Sequence, residues 1–187
     1  MDRARPLSNE DKQAWCVYGE SRERLFCAYL IRFGITAIVN PEKKADKYAC
    51  DLLIKYNNSV LQPADLKSVL TPFFKADEHY GLDPQYAVTF NHKDGVRYRE
   101  RYPDIVVYFD VLFRRELSIK TFQNEIKSVR PMHVVAMGSL NEVAAAIKAC
   151  GNKEHRYKAR VDDICGNAKA SWIFDVRKLL FLEETYF

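Results

Sequence analysis

The fold expected of this chain is decided by residues 51–67, DLLIKYNNSVLQPADLK. Two apolar runs of strand character flank a turn signal at residues 57–59, a pattern typical of a β-hairpin. In a hairpin centred on Asn58, Asp51 and Asp65 each lie seven residues from the centre and therefore face each other, roughly 5 Å apart. Facing carboxylates repel each other, so this register predicts a site that holds a divalent cation.

Lys67 follows Asp65 by two residues, and alternate residues of a strand point to the same face of a sheet. Asp65 and Lys67 are therefore expected to share one face of the strand that follows the turn. Pro63 lies just before them and cannot donate a hydrogen bond to a neighbouring strand, which indicates an edge strand or a β-bulge. A bulge there would shift the hairpin register by one residue.

Alternating helix-like and strand-like patterns predict one α/β domain. Residues 9–33 are expected to form a helix, which a Ser8/Asp11 pair caps at its start. Gly34 is the expected stop, and Gly19 is a point where the helix could break. The other expected elements are strands over residues 35–39, 50–56 and 60–70, a short helix or loop over 73–80, a hairpin over 86–102 about Lys93-Asp94-Gly95, a strand over 105–113, a helix over 116–129, a strand over 132–137, a helix begun by a Ser139/Glu142 capping box and stopped at Gly151, and a strand or helix over 172–182.

Length and composition bound the class of protein. The chain has 187 residues, enough for one domain with a substantial core. Its hydrophobic content of 48% and charged content of 29% are typical of a soluble globular protein. No apolar run approaches the roughly 18 residues of a membrane span, and residues 1–12 lack the apolar core of a signal peptide. The expected location is the cytoplasm, with no membrane partner.

Basic residues fall into three clusters in which aromatic residues are interleaved. The net charge of +4 is too small to predict a nucleic-acid partner by itself, but such clusters can neutralise phosphates and stack on unpaired bases. Solvated loop surface is the alternative interpretation of each cluster. They are Lys43, Lys44 and Lys47; His92, Lys93, Arg97, Arg99 and Arg101 with Tyr98 and Tyr102; and Lys153, His155, Arg156, Lys158 and Arg160 with Tyr157.

The spacing and sequence context of the cysteines, the histidines and the remaining acidic residues predict structural roles for them. The five cysteines have no CxxC spacing, which favours reduced and mostly buried thiols. Asp110 lies inside an apolar strand and is expected at a core edge or hairpin, and His133 is expected to be a core histidine with its hydrogen bonds satisfied. The four histidines show no metal-ligand spacing.

Residues 19–70 place a helix and three strands in an order that resembles the PD-(D/E)xK nuclease superfamily, in its endonuclease and Holliday-junction-resolvase branches. Residues 19–25, GESRERL, look like the first helix of the resolvase type. Residues 51–54, DLLI, look like the "PD" strand, and residues 65–68, DLKS, look like the "(D/E)xK" strand. Cysteine stands where the family often has the proline, and aspartate replaces the commoner glutamate, but neither change removes a ligand oxygen.

The resemblance implies a restriction-endonuclease-like three-layer core, in which a central mixed β-sheet is flanked by helices. It implies one nuclease-like domain over residues 1–187, with the core motifs in 19–70 and a C-terminal elaboration over about 76–187. The implied activity is metal-dependent hydrolysis of phosphodiester bonds in DNA, in recombination, repair or restriction. Mg²⁺ is the implied cofactor, with Mn²⁺ as a substitute, while RNA as a substrate and a homodimeric state stay open.

The resemblance places the active site at Glu23, Asp51, Asp65 and Lys67. Asp51 and Asp65 would ligate the metal ion, with the backbone carbonyl of Leu66 as a further ligand, because Mg²⁺ prefers oxygen ligands. Lys67 would position the attacking water or stabilise the developing negative charge.

The helix ligand is the least defined member of the set. Glu23 matches the family spacing, but Glu20 lies on the same helical face three residues away, so the choice between them stays open. Glu23 could instead pair with a basic neighbour such as Arg24, and an Asp-x-Lys pair on a strand is often only solvated charge. The same fold could also hold nucleic acid or a protein partner without cutting it, although a complete acid–lysine set favours an enzyme.

Overall fold

The computed structural model describes residues 12–57, 59–121, 124–157 and 170–187. They form a mixed α/β structure with a central mixed sheet of six strands, which confirms the coarse fold class predicted from the sequence. The chain divides into two compact units, Met1–Leu66 and Lys67–Phe187. None of the helices in the described ranges combines the length and the apolar character needed to cross a membrane.

The first unit begins with helix α1, Lys12–Leu30, which a short 3-10 turn extends over Ile31–Phe33. Gly34 ends it as predicted, in a left-handed conformation with φ of 71° that favours glycine. The helix runs through Gly19 without the break that the sequence left open. The capping pair predicted before the helix lies outside the described residues.

Strand β1, Ile35–Val39, pairs with strand β2, Leu52–Tyr56, which in turn pairs with strand β3, Gln62–Val69, to form the hairpin. Both of these pairings are antiparallel. In the hairpin, Leu52 pairs with Ala64, Leu53 with Pro63 and Ile54 with Gln62. These pairs are equidistant from Asn58, so the predicted register is confirmed, and no bulge shifts it at Pro63.

A buried asparagine fixes the connection between β1 and β2. Asn40 caps a 3-10 turn over Pro41–Lys44, because its side chain accepts a hydrogen bond from the Glu42 N–H at 3.1 Å. The same side chain donates to the Cys50 carbonyl at 3.1 Å, and the Asn40 N–H donates to the Asp51 carbonyl at 2.9 Å. The turn is thereby held against the two residues that immediately precede β2.

The second unit contains the remaining helices and strands. Its elements are α2 (Ala76–Tyr80), β4 (Ala87–Asn91), α3 (His92–Arg101), β5 (Val106–Phe113), β6 (Leu117–Lys120), β7 (Ile126–Val129), β8 (Met132–Ser139), α4 (Leu140–Ala149), β9 (Glu154–Arg156), β10 (Ala170–Asp175), a 3-10 turn (Val176–Lys178) and β11 (Leu180–Tyr186). The central sheet has the order β1-β2-β3-β5-β8-β11, and two smaller sheets have the orders β4-β10-β9 and β6-β7.

The predicted hairpin over residues 86–102 is half wrong, because its second half is helix α3. Asp94-Gly95 resembles a turn in sequence, but the buried residues Asp94, Gly95 and Tyr98 have helical spacing. Gly95 is closely packed, since a Cβ at this position would lie 3.1 Å from the Trp172 ring, which is tighter than most Cβ contacts. Long-range packing therefore outweighs the local turn signal.

The predicted helix over residues 116–129 is wrong, because the described part of this segment is the β6–β7 hairpin. Apolar residues at positions 119, 122, 126 and 129 have helical spacing. Asn124, however, adopts φ of 64°, and the Thr121 N–H donates to the Glu125 carbonyl at 2.8 Å. These two features close a turn between strands rather than continuing a helix.

Several other predictions in the second unit are confirmed. Ser139 and Glu142 form the capping box of α4, and Gly151 ends that helix region with φ of 83°. The apolar strands appear as β5 and β8, and the segment predicted as a strand or helix contains β10 and β11. His133 Nε2 lies 2.8 Å from Asp110 Oδ1, so the two polar residues of the apolar strands are bonded to each other.

Candidate active-site residues

Two of the predicted acids meet at a lysine in the first unit. Lys43 Nζ donates to Glu23 Oε1 at 2.5 Å and to Asp51 Oδ1 at 2.7 Å. Helix α1 supplies Glu23, the residue before β2 is Asp51, and the capped 3-10 turn supplies Lys43. The sequence placed Lys43 in a basic cluster but did not place it in the site.

The second oxygen of Asp51 connects the group to strand β3. Asp51 Oδ2 accepts a hydrogen bond from the Leu66 N–H at 3.3 Å. The hairpin register, continued by one step, puts Asp51 opposite Asp65, whose side chain is only 2% exposed. Leu66 therefore touches the site through its N–H, whereas the resemblance implied a role for its carbonyl as a metal ligand.

Burial and neighbouring opposite charges shift the pKa values of Glu23 and Lys43 in opposite directions. Burial raises the pKa of Glu23, and the charges of Glu20 and Asp65 add to that rise, while the hydrogen bond from Lys43 only partly offsets it. Burial alone would lower the pKa of Lys43, but the carboxylates of Asp51 and Glu23 more than reverse this and raise it. Burial thus disfavours the ionised form of Glu23, and the Lys43 ammonium stabilises that form.

Burial distinguishes the two candidate glutamates of α1. Glu23 is 8% exposed, and its Oε2 is buried with no hydrogen-bond partner among the described residues. Glu20 is exposed and lies 4.0 Å from Arg24, an ion pair between two side chains that are each more than half exposed. Arg24 therefore pairs with Glu20, whereas Glu23 is directed at Lys43.

Lys67 has its own set of contacts in the second unit. Its Nζ donates to Asp94 Oδ2 at 2.6 Å and lies 5.9 Å and 5.8 Å from the ring centroids of Phe90 and Tyr98. Asp94 also forms an ion pair with Arg97, whose Nη2 lies 2.9 Å from Asp94 Oδ1. Asp94 was missed as a site residue because its Asp-Gly sequence resembled a turn.

The carboxylate oxygens around Lys43 are suitable ligands for a hard cation. Within the described ranges, no three or more His, Cys, Asp or Glu side chains are arranged to hold a metal ion. The Lys43 ammonium instead bridges Glu23 and Asp51, and the buried Oε2 of Glu23 has no hydrogen-bond partner in the described residues. Carboxylate oxygens are the ligands that Mg²⁺ prefers. Glu23 and Asp51 therefore carry the ligand type that the implied metal prefers, and Asp65 lies one register step away on β3.

Cys27 is expected to react unusually slowly with alkylating reagents. Burial, together with the charge of Glu23, raises its pKa to about 11. Because only the thiolate reacts, alkylation at pH 8 should be roughly a hundredfold slower than for an exposed thiol. Iodoacetamide labelling followed by peptide mass spectrometry measures this rate. A rate equal to that of glutathione at pH 8, or no acceleration as the pH is raised towards 11, would contradict the expectation.

The second and third basic clusters lie in the second unit and involve aromatic side chains. Arg97 stacks on the ring of Tyr98 at 4.7 Å within α3. His155 is hydrogen-bonded to the Tyr80 hydroxyl at 3.0 Å, and its ring meets that of Tyr157 edge-on at 4.7 Å. Lys158 and Arg160 of the third cluster lie outside the described residues.

Of the five cysteines, Cys50 and Cys150 are buried free thiols as predicted, and Cys27 is a half-buried free thiol.

Comparisons with family models, with curated proteins and with solved structures find no match to this chain. The likeness to PD-(D/E)xK nucleases therefore rests on the residues of this chain alone.

Proposed function

We propose that the protein is a metal-dependent nuclease that hydrolyses phosphodiester bonds in DNA, on a restriction-endonuclease-like three-layer core. The observation that carries this proposal is that Glu23 and Asp51 both contact the Lys43 ammonium, while Asp65 lies one register step away on β3. Buried carboxylates that repel each other reduce stability, and such groups occur preferentially at functional sites.

Glu23, Asp51 and Asp65 would hold Mg²⁺ or Mn²⁺. When bound, the ion would lower the pKa of a water molecule and offset charge on the phosphate. Lys67 would stabilise the negative charge that develops during cleavage, and Asp94 would orient its ammonium through the 2.6 Å hydrogen bond. The Leu66 N–H would keep Asp51 in place through its contact with Oδ2.

A nucleic-acid or protein-binding module without catalysis is the second candidate, and a specific observation favours it. Lys43 already bridges two of the acids, so their charge is partly neutralised in the absence of a metal. A binding module would need nothing further from this cluster. The two candidates differ in whether a divalent metal ion changes the covalent state of the nucleic acid.

The deciding experiment incubates the protein with circular and branched DNA, and with RNA, in the presence of Mg²⁺ or Mn²⁺. Metal-dependent strand breaks that are lost in Asp65→Ala and Lys67→Ala variants, with DNA binding retained, support the enzyme. Binding without any cleavage of these substrates would favour the second candidate and rule out the first.

Glu23 and Glu20 provide a matched pair of variants for the helix ligand. Glu23→Gln should reduce cleavage by about a hundredfold, because a ligand is lost from a buried position. Glu20→Gln should remain within about twofold of wild type, because Glu20 is exposed and pairs only with Arg24 among the contacts described. Gel assays of plasmid nicking measure both rates. Equal losses in the two variants would contradict a special role for Glu23.

A further inference from the structure

The side chain of Lys43 occupies the position between the acids where a metal ion would bind. Its ammonium lies 2.5 Å from Glu23 Oε1 and 2.7 Å from Asp51 Oδ1. Metal–oxygen bonds to Mg²⁺ are about 2.1 Å long. An ammonium and a metal ion therefore cannot both contact this pair of oxygens from the same side, and only one cation is accommodated at a time.

The Lys43 side chain extends from a fixed backbone and is partly open to solvent. Its backbone belongs to a 3-10 turn that Asn40 fixes by side-chain and backbone hydrogen bonds. The ammonium sits on a flexible four-carbon stem, and the side chain is 25% exposed, so a path to solvent is open. The side chains of Glu23 and Asp51 are less exposed than that of Lys43, at 10% and 23% of the side-chain surface.

We propose that Lys43 is a resident counter-ion of the acid cluster, which a divalent metal ion must displace in order to bind. This inference rests on the proposed function, because it concerns the same acids. The ammonium stabilises Glu23 and Asp51 while no metal is bound, and it weakens metal binding by competing for their oxygens. Once displaced, it remains tethered beside the site as a cation that faces solvent and can contact a phosphate.

The test titrates the whole protein with Mn²⁺ alone and follows binding by calorimetry. Lys43→Met and Lys43→Gln should bind Mn²⁺ about tenfold more tightly than wild type, because the competing charge is gone, and tenfold corresponds to about 1.4 kcal/mol. Lys44→Met is the matched control, since Lys44 is the exposed neighbour on the same turn, and it should bind Mn²⁺ like wild type.

A measurement on the wild-type protein covers the case in which the Lys43 variants do not fold. Acetylation of lysines, located by mass spectrometry, should become faster at Lys43 when Mn²⁺ is added and should not change at Lys44. Release of the ammonium from its two carboxylates is the reason for the difference.

The outcomes separate this inference from the proposed function. If wild type binds Mn²⁺ but the Lys43 variants bind it no more tightly than Lys44→Met, the counter-ion role is overturned while the nuclease proposal stands. Unchanged acetylation at Lys43 under saturating Mn²⁺ overturns it equally. If neither wild type nor any variant binds Mn²⁺, the metal site and the inference both fail.

Discussion

Asp65→Asn is expected to lower metal-dependent DNA cleavage by about a thousandfold and to leave the folded protein at least as stable as wild type. Asp65 is 2% exposed, and burial raises the pKa of Glu23, a rise to which the negative charge of Asp65 adds, so the two acids repel each other. Asparagine has nearly the same shape but carries no charge. It would remove the charge of a proposed metal ligand and relieve the repulsion in one step.

Two measurements on the same samples check this expectation. Single-turnover cleavage of plasmid DNA gives the rate, and a thermal melt without metal gives the stability. Glu116→Gln serves as the control, because Glu116 is an exposed acid in the loop between β5 and β6, and the equivalent change there should affect neither quantity. A variant that cleaves at the wild-type rate would remove Asp65 from the site, and a clear drop in melting temperature would make it a structural residue.

Phe109→Ala is expected to reduce the free energy of unfolding by about 3–5 kcal/mol. Phe109 is fully buried on β5, and its ring packs edge-on against Phe174 of β10 with centroids 5.4 Å apart. The loss combines the transfer of the ring to water, the cavity left behind and the aromatic contact. It would be a large part of the roughly 5–15 kcal/mol that stabilises a typical domain.

Urea unfolding monitored by circular dichroism measures this loss. Phe187→Ala is the matched control, because Phe187 is 70% exposed at the end of the chain and should lose less than about 0.5 kcal/mol. Similar losses in the two variants would show that burial of Phe109 does not stabilise the second unit.

Local signals in the sequence were sufficient to predict the elements that position the acids. The turn at residues 57–59 and the two apolar runs fixed the hairpin register, because side-chain alternation leaves one register in which both strands bury their apolar faces. Gly34 predicted the end of α1, and Ser139 with Glu142 predicted the start of α4. Each of these signals acts within a few residues of the chain.

The errors arose where distant residues decide the structure. In helix α3, Gly95 packs closely against Trp172, a residue 77 positions later in the chain. The β6–β7 hairpin has apolar residues at helical spacing, but the left-handed Asn124 and the hydrogen bond from the Thr121 N–H to the Glu125 carbonyl close a turn between its strands. Neither contact nor backbone conformation can be derived from spacing alone.

The sequence indicated the acids of the candidate site but not the oppositely charged residues that pair with its members. Glu23 and Asp51 were identified by order and spacing, but Lys43, which joins them, comes from a turn that Asn40 fixes by bonding across to Cys50. A signal for that turn was present, since an asparagine followed by proline is typical of a helix start. Asp94, the partner of Lys67, was hidden by its resemblance to a turn residue.

The length of the β2–β3 connection is as much a part of the acid cluster as the identity of its residues. Surface turns normally tolerate insertions and deletions, because little depends on their length. Here a change of turn length that shifted the strand register by one residue would move the partner of Asp51 from Asp65 to a neighbour whose side chain points to the opposite face. Such a shift would separate Asp65 from Asp51 even though every acid was retained.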